Sequence, residues 1–334
     1  MPAGSVTATA AAPATRTMRA MVVTGPGQVE VEHLVLPEPA AGEVRIRLEG
    51  CGVCGSNLPL WEGRPWFSYP SAAGSPGHEG WGVVNAVGSG VSNLTIGQRV
   101  VALSYQAYAE YDIATAAAVV PLPESLGETP FPGEPLGCAM NAFRRSAIEP
   151  GHTVVVIGIG FLGALLTSLA SRAGARVIAI SRRRFALSLA REMGAHVTIE
   201  LANHADIVEQ VQRLTGGEGA DRVIEVVGMQ WPLDLAGELT RVRGRLIIAG
   251  YHQDAPRQVN MQLWNWRGLD VINAHERDPA VYVEGIRQAV DAVAAGTLQP
   301  ERLYTHAFDL DQLDQAFEMM RERPDGFLKA LVRT

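Results

Sequence analysis

Cysteine is scarce in this chain, with only three among 334 residues. Three cannot build a disulfide framework, so the count suits a reducing cytoplasm. They also cannot fill a four-cysteine structural zinc cluster. Long apolar runs are missing too: no stretch approaches the ~20 residues of a membrane-spanning helix. Positive charge is in deficit, with 28 Lys and Arg against 35 Asp and Glu for a net charge of −7. No basic run is long enough to offer a nucleic-acid surface. Residues 1–17 are rich in Ala, Thr, Pro and Ser but have no apolar core segment of the kind a signal peptide needs. They read as a disordered tail or an upstream start, and Met18 opens the folded pattern.

What is present suits a two-domain enzyme, with 47% hydrophobic and 19% charged residues. From Met18 to about Pro123 short apolar runs are broken by Gly and Pro: Arg19–Val23, Val44–Leu48, Gly82–Val87 and Arg99–Leu103. These predict an irregular β-rich domain. Trp61–Pro70 reads as an aromatic loop. After about Ala139 the texture changes. Strands are expected at Thr153–Ile157, Arg176–Ile180, Arg222–Val227, Arg245–Ala249 and Leu269–Asn273. Helices at Phe161–Arg172, Phe185–Met193 and Ala205–Leu214 alternate with them, the pattern of a doubly wound parallel sheet. Two amphipathic helices, Ala280–Ala295 and Leu310–Arg323, close the chain.

Gly158-Ile-Gly160-Phe161-Leu162-Gly163 follows a buried-strand run and precedes a helical one, the context a dinucleotide fingerprint needs. The first glycine makes the turn, the second admits the pyrophosphate, and the third lets helix and strand pack closely. An NAD site usually ends its second strand on a carboxylate for the ribose hydroxyl. Here Ser181-Arg182-Arg183 stand instead, able to hydrogen-bond and pair a 2′-phosphate. NADP(H) is therefore favoured, with NAD the second choice; arginines merely facing solvent at a helix start are the plain alternative.

Cys51-Gly-Val-Cys54 could be a redox pair, half of a structural zinc site, or a strand-end thiol beside a metal-binding one. His78 in Gly77-His78-Glu79-Gly80, with Glu134 and Cys138 in Glu134-Pro-Leu-Gly-Cys138 downstream, favours the third reading. Thiolate, imidazole and a later carboxylate or thiolate make a three-ligand zinc site with one open position.

In these motifs, and in their order, the chain from Met18 to its C-terminus resembles the zinc-dependent medium-chain dehydrogenase/reductase family. The branch with sorbitol, threonine and glucose dehydrogenases is the most similar. The resemblance implies an α/β protein, a GroES-like β-rich catalytic domain plus a Rossmann doubly wound parallel-sheet domain. The expected catalytic parts are residues 18–139 and 275–334, and the inserted dinucleotide-binding part is 140–274.

It implies one catalytic zinc held by Cys54 and His78, with Glu79 ligating or just behind the metal and Glu134 or Cys138 completing the set. Ser56 would hold the substrate oxygen and start a proton relay. Lys329 would lie near the pyrophosphate, and Ala249, Gly250 and Asn273 near the nicotinamide. The region Leu269–Asn273 pairs subunits in family dimers, so a homodimer or homotetramer is expected.

Three departures stand out. The lobe of four clustered cysteines is absent, so no structural zinc is expected. Asn57 replaces the usual aspartate behind the ligating histidine, and Pro59 replaces a relay histidine found in several relatives. The function implied is hydride transfer between a nicotinamide cofactor and a secondary alcohol or polyol, or its carbonyl form. The alternatives are a zinc-free quinone or enone reductase of the same fold, and a non-catalytic nucleotide-binding protein. Glu79 and Glu134 suit a polyhydroxylated substrate, whereas Trp61, Trp66, Phe67 and Tyr69 suggest an apolar wall.

Overall fold

The computed structural model describes residues 16–334. The first part of the chain runs through β1 (Thr17–Gly25), β2 (Gln28–Val35), β3 (Glu43–Gly52), a short helix α1 (Leu58–Trp61), β4 (Gly80–Val87), β5 (Arg99–Ala102), β6 (Tyr111–Thr115) and β7 (Val119–Pro121). Helix α2 (Gly133–Ser146) leads into β8 (Thr153–Ile157), α3 (Phe161–Arg172), β9 (Arg176–Ser181), α4 (Arg184–Glu192) and β10 (Val197–Glu200). Then come α5 (His204–Leu214), β11 (Ala220–Glu225), α6 (Gln230–Leu239), β12 (Thr240–Ile248), α7 (Met261–Arg267) and β13 (Asp270–Asn273). The chain closes with α8 (Pro279–Ala294), β14 (His306–Asp309), α9 (Leu313–Glu322) and β15 (Ala330–Arg333).

Two sheets dominate. The parallel one has the order β10-β9-β8-β11-β12-β13, the order of a Rossmann sheet. Its strands read as continuous apolar runs because helices cover both faces; Val154, Val155, Val156 and Ile157 are all fully buried. The strand order reverses between β8 and β11, and the turn after β8 carries the three glycines.

The other sheet has the order β14-β15-β3-β4-β5-β7, with β6 also paired to β3. Its core contains Ile46, Leu48, Val84, Tyr108 and Phe317. Strand β15 returns from the C-terminus and pairs antiparallel with β3, setting Leu331 opposite Gly52 and Val332 opposite Cys51. That register brings the last turn of the chain to the Cys51–Cys54 segment.

Four expectations need correction or placing. Residues 1–15 of the expected tail lie outside the described residues. Arg16 and Thr17 are not tail: Thr17 opens β1 opposite Val35, and the Arg16 carbonyl accepts the Leu36 N–H at 2.9 Å. The expected boundary after Ala139 falls inside α2, a continuous helix carrying both Glu134 and Cys138. Trp61 is not loop but the end of α1, and is buried against Phe317 at 6.0 Å between ring centroids.

Candidate functional site

Cys54, His78 and Glu79 each offer a donor atom, and these atoms all lie within 4.8 Å of one another. Tetrahedral zinc with Zn–S of about 2.3 Å and Zn–N of about 2.0 Å holds its donors roughly 3.5 Å apart, so a small contraction would seat the ion. The local fold explains the convergence. Cys54 leaves the end of β3 into a 3₁₀ turn, Gly55–Asn57, and His78-Glu79 directly precede β4, the antiparallel neighbour of β3.

His78 is oriented by a carbonyl. Its Nδ1 lies 2.8 Å from the Pro76 oxygen, which can only accept, so Nδ1 carries a proton and Nε2 is the nitrogen turned toward the metal candidates. Asn57, standing where the family resemblance leads one to expect an aspartate, is fully built into this support: its Nδ2 donates to the same carbonyl at 3.1 Å. Its Oδ1 accepts the Cys54 N–H at 3.1 Å and the Tyr108 hydroxyl at 2.8 Å. Burial works to lower the His78 pKa, but a hydrogen bond to Cys54 and the charges of Cys54, Glu134 and Glu79 push it up to about 10. A histidine forced toward its cation by surrounding anions marks a place whose chemistry calls for positive charge.

Glu79 is fully buried, and its charge is met by Lys329, the only lysine in the chain. Lys329 Nζ donates to Glu79 Oε1 at 2.6 Å and to the Val53 carbonyl at 3.0 Å. Oε2 is 2.5 Å from Nζ but outside hydrogen-bond geometry, so that contact is electrostatic only. Glu79 thus sits behind the Cys54–His78 pair with its carboxylate already engaged. Lys329 is placed differently from the expected pyrophosphate ligand. It is buried and neutralised, and its Nζ lies 5.0 Å from the Phe161 ring at the start of α3. The ammonium therefore links the metal candidates to the first turn of the dinucleotide helix.

Glu134 and Cys138 lie one turn apart on α2 and so share a face. Neither joins the Cys54–His78–Glu79 group. The Tyr282 hydroxyl from α8 donates to Glu134 Oε1 and lies 2.9 Å from Cys138 Sγ. Burial and the adjacent Glu134 raise the Cys138 thiol well above its ordinary pKa. Cys51 is buried and likewise raised, chiefly by burial, and is an ordinary core thiol. Ser56 lies in the 3₁₀ turn, partly exposed, and Pro59 is buried in α1.

On the nucleotide side, Gly158 has φ +99°, and a Cβ on Gly163 would sit 2.0 Å from the Gly158 oxygen. Those two positions require glycine. A Cβ on Gly160 would meet nothing within 4 Å, leaving open space at the N-terminus of α3 where a phosphate can approach. Phe161 is buried and stacked on Tyr304, so what it offers a ligand is its backbone, and Leu162 is half-buried beside it.

Ser181 is buried at the end of β9, Arg182 is exposed, and Arg183 donates to the Phe327 carbonyl. Ala249 and Gly250 both donate backbone N–H groups to the Glu225 carbonyl at 2.8 Å. Asn273 ends β13, exposed. Beside them is a cluster the sequence did not announce. Glu225 Oε1 accepts the Val227 and Gly228 N–H groups at 2.7 and 2.8 Å, and Oε2 lies 3.0 Å from His252 Nε2.

Comparison with known proteins agrees with this layout. The family model for the alcohol dehydrogenase GroES-like domain matches residues 40–124, and that for zinc-binding dehydrogenases matches residues 162–293. The chain belongs to the zinc-dependent medium-chain dehydrogenase/reductase family.

Sorbitol dehydrogenase of Halalkalibacterium halodurans is 27% identical, over 91% of this chain and 96% of its own. (R,R)-butanediol dehydrogenase of Neisseria gonorrhoeae is 26% identical, over 94% and 99%. A protein assigned as a zinc-binding dehydrogenase from Sinorhizobium meliloti 1021, solved with NADP bound, superposes with a TM-score of 0.81 at 25% identity, over 96% of this chain and all of that one. A nicotinamide cofactor and zinc thus belong to this dehydrogenase's family. Among the described residues no helix is long and apolar enough to cross a membrane.

Several residues of this dehydrogenase's site were not legible beforehand. Tyr108 and Tyr282 carry no motif, and their partners lie 51 and 144 residues away. The expected aromatic wall is also smaller. Trp61 is in the core and Tyr69 donates its hydroxyl to the Leu60 carbonyl, which leaves Trp66 and Phe67 exposed.

Proposed function

We propose that this protein is a zinc-dependent oxidoreductase that transfers hydride between NADP(H) and a secondary alcohol or polyol, or the corresponding ketone or aldehyde. The observation that carries the reading is the convergence of Cys54 and His78, with Glu79 beside them tied through Lys329 to the first turn of the glycine-fingerprint helix. The metal candidates are thereby joined to the helix that would receive the dinucleotide, which supports hydride transfer beside the metal. The names of the relatives, a sorbitol and a butanediol dehydrogenase, support an alcohol bearing neighbouring hydroxyls.

Cys54 and His78 would hold the zinc, and Glu134 the third position, because Tyr282 occupies only one of its carboxylate oxygens. When bound, zinc supplies Lewis acidity that stabilises an alkoxide. Ser56, in the turn after Cys54, is assigned to take the substrate proton. Pro59 offers no relay, so the proton leaves by ribose or water. Glu79 and Lys329 form a buried, neutral pair behind the ligands and hold the end of β3 in register. The protein's part is alignment and charge stabilisation, while the cofactor carries the hydride.

The catalytic unit is assigned to residues 18–139 and 275–334, with Thr17 joined to it through β1, and the nucleotide unit to 140–274, helix α2 running across the boundary. Edge strand β13, flanked by Trp266 at 87% exposure, supports assembly into homodimers or homotetramers. A cytoplasmic setting fits the free thiols. Metal analysis joined to Cys54→Ser tests the reading. About one zinc per chain in wild type, with zinc and turnover both lost in the variant, is expected. Full turnover in the variant would instead favour the zinc-free reductase.

A further inference from the structure

The family resemblance gives Lys329 to the pyrophosphate, yet its charge is spent on Glu79 in the interior. A dinucleotide bound here still carries a diphosphate that calls for a cation. We infer that Arg323, at the C-terminal end of α9, is the residue that binds the cofactor pyrophosphate. The inference rests on the dinucleotide reading given above.

Three observations converge on it. First, position. The Arg323 terminal nitrogen Nη2 is 3.6 Å from where a Cβ on Gly55 would lie, so the guanidinium stands against the residue next to Cys54. It is also close enough to the Ser181–Arg183 turn for its charge to act on Arg183 and for that of Arg182 to act on it. A dinucleotide spanning this enzyme puts its nicotinamide by Cys54 and its adenosine ribose by Ser181–Arg183. What lies between those ends is the pyrophosphate, and Arg323 neighbours both Gly55 and the arginines of the second strand's end.

Second, availability. Among the described residues no carboxylate forms an ion pair with Arg182, Arg183 or Arg323 (Asp325 acts on Arg183 only at a distance). Among the described residues Arg323 spends Nε alone, on the Met320 carbonyl at 3.1 Å, and both terminal nitrogens keep their donors. Three unpaired guanidiniums brought together repel one another until an anion arrives. Third, backbone. Arg323 has φ +47°, a helix-ending conformation that ordinarily takes Gly or Asn. An arginine held there points to a use for its side chain.

The inferred division of labour is specific. Arg323 serves the diphosphate, common to both nicotinamide cofactors, while Arg182 and Arg183 serve the 2′-phosphate, found only in NADP(H). Calorimetric titration of the full-length protein separates them with three probes: NADPH, NADH and adenosine 2′-monophosphate. Arg323→Asn, which the left-handed backbone accommodates, is expected to weaken NADPH and NADH alike by about tenfold or more. Adenosine 2′-monophosphate, which has no diphosphate, should bind within about twofold of wild type, and Arg323→Lys should retain part of the dinucleotide affinity. Arg182→Ala should do the reverse, weakening NADPH and the monophosphate but sparing NADH.

Unchanged binding of both dinucleotides to Arg323→Asn, with an unaltered melting temperature, overturns the inference. So does a loss confined to NADPH and the monophosphate, which would put Arg323 in the 2′-phosphate site. If wild type binds NADH as tightly as NADPH, the NADP assignment falls, while the Arg323 arms still decide the pyrophosphate role. A wild type that binds neither dinucleotide sinks both.

Discussion

Replacing Lys329 with Met removes one half of a buried ion pair and keeps most of the side chain's volume. Lys329 and Glu79 are 4% and 0% exposed, and Nζ sits 2.5–2.6 Å from both carboxylate oxygens. Such a pair adds little net stability when both charges are present, because desolvation offsets their attraction. Removing one partner is different. Glu79 would be left buried and uncompensated, beside the Cys54–His78 pair, at a cost of about 3–5 kcal/mol. The carboxylate is packed directly against Gly52, where a Cβ would lie 1.8 Å from Glu79 Oε2.

At roughly 2–4 °C per kcal/mol, Lys329→Met should lower the melting temperature by on the order of 10 °C. The double variant Glu79→Gln/Lys329→Met, which removes both charges, should recover at least half of that. Scanning calorimetry of wild type, both single variants and the double variant, each after chelation, makes the comparison. A Lys329→Met midpoint within about 2 °C of wild type would refute the reasoning. A double variant no more stable than Lys329→Met would show that shape, not charge, holds the segment.

Gly160→Ala, whose Cβ meets nothing, should fold with an unchanged melting temperature yet bind dinucleotide at least about tenfold more weakly, read by calorimetry. Gly163→Ala, pressed against the Gly158 oxygen, should lose stability as well as affinity in the same assay. For the third metal position, Glu134→Gln is expected to lower zinc content while Cys138→Ala keeps it, by elemental analysis of dialysed protein. Burial would raise the Asp221 pKa, but the Thr153 N–H and Arg241 outweigh it and hold the carboxyl below its ordinary 3.8. Its contribution is therefore full above that value and lost as pH falls through the lower folded pKa. Asp221→Asn should be less stable than wild type near neutral pH, with the gap closing in acid, followed by urea unfolding across pH.

The nucleotide half was read well because its signals are local. Thr153–Ile157 and Phe161–Arg172 match the observed elements residue for residue, since a buried parallel strand and an amphipathic helix declare themselves by run and period. Helix α2 was missed for a physical reason. Gly133, Pro135 and Gly137 are poor helix formers, but the glycines are packing devices: a Cβ on Gly137 would stand 2.6 Å from Ile286 of α8. Tertiary contact overrides low helix propensity there.

In the site, Cys54 and His78 were visible because ligand motifs are short and ordered. The Lys329–Glu79 pair was not, since it depends on the register of β15 against β3, which brings together residues 250 positions apart. Nor could the sequence show that the carbonyl of Pro76 does the orienting that an aspartate at position 57 was expected to do.

The central claim is hydride transfer that depends on zinc, and nicotinamide absorbance during turnover tests it most directly. The as-purified protein is offered NADP⁺ with a panel of secondary alcohols and polyols, before chelation, after it, and after zinc is restored. Turnover on at least one member, abolished by chelation and regained with zinc, is the predicted result. Turnover that survives complete removal of the metal, or none across the panel in protein shown to hold zinc and bind NADPH, would contradict it.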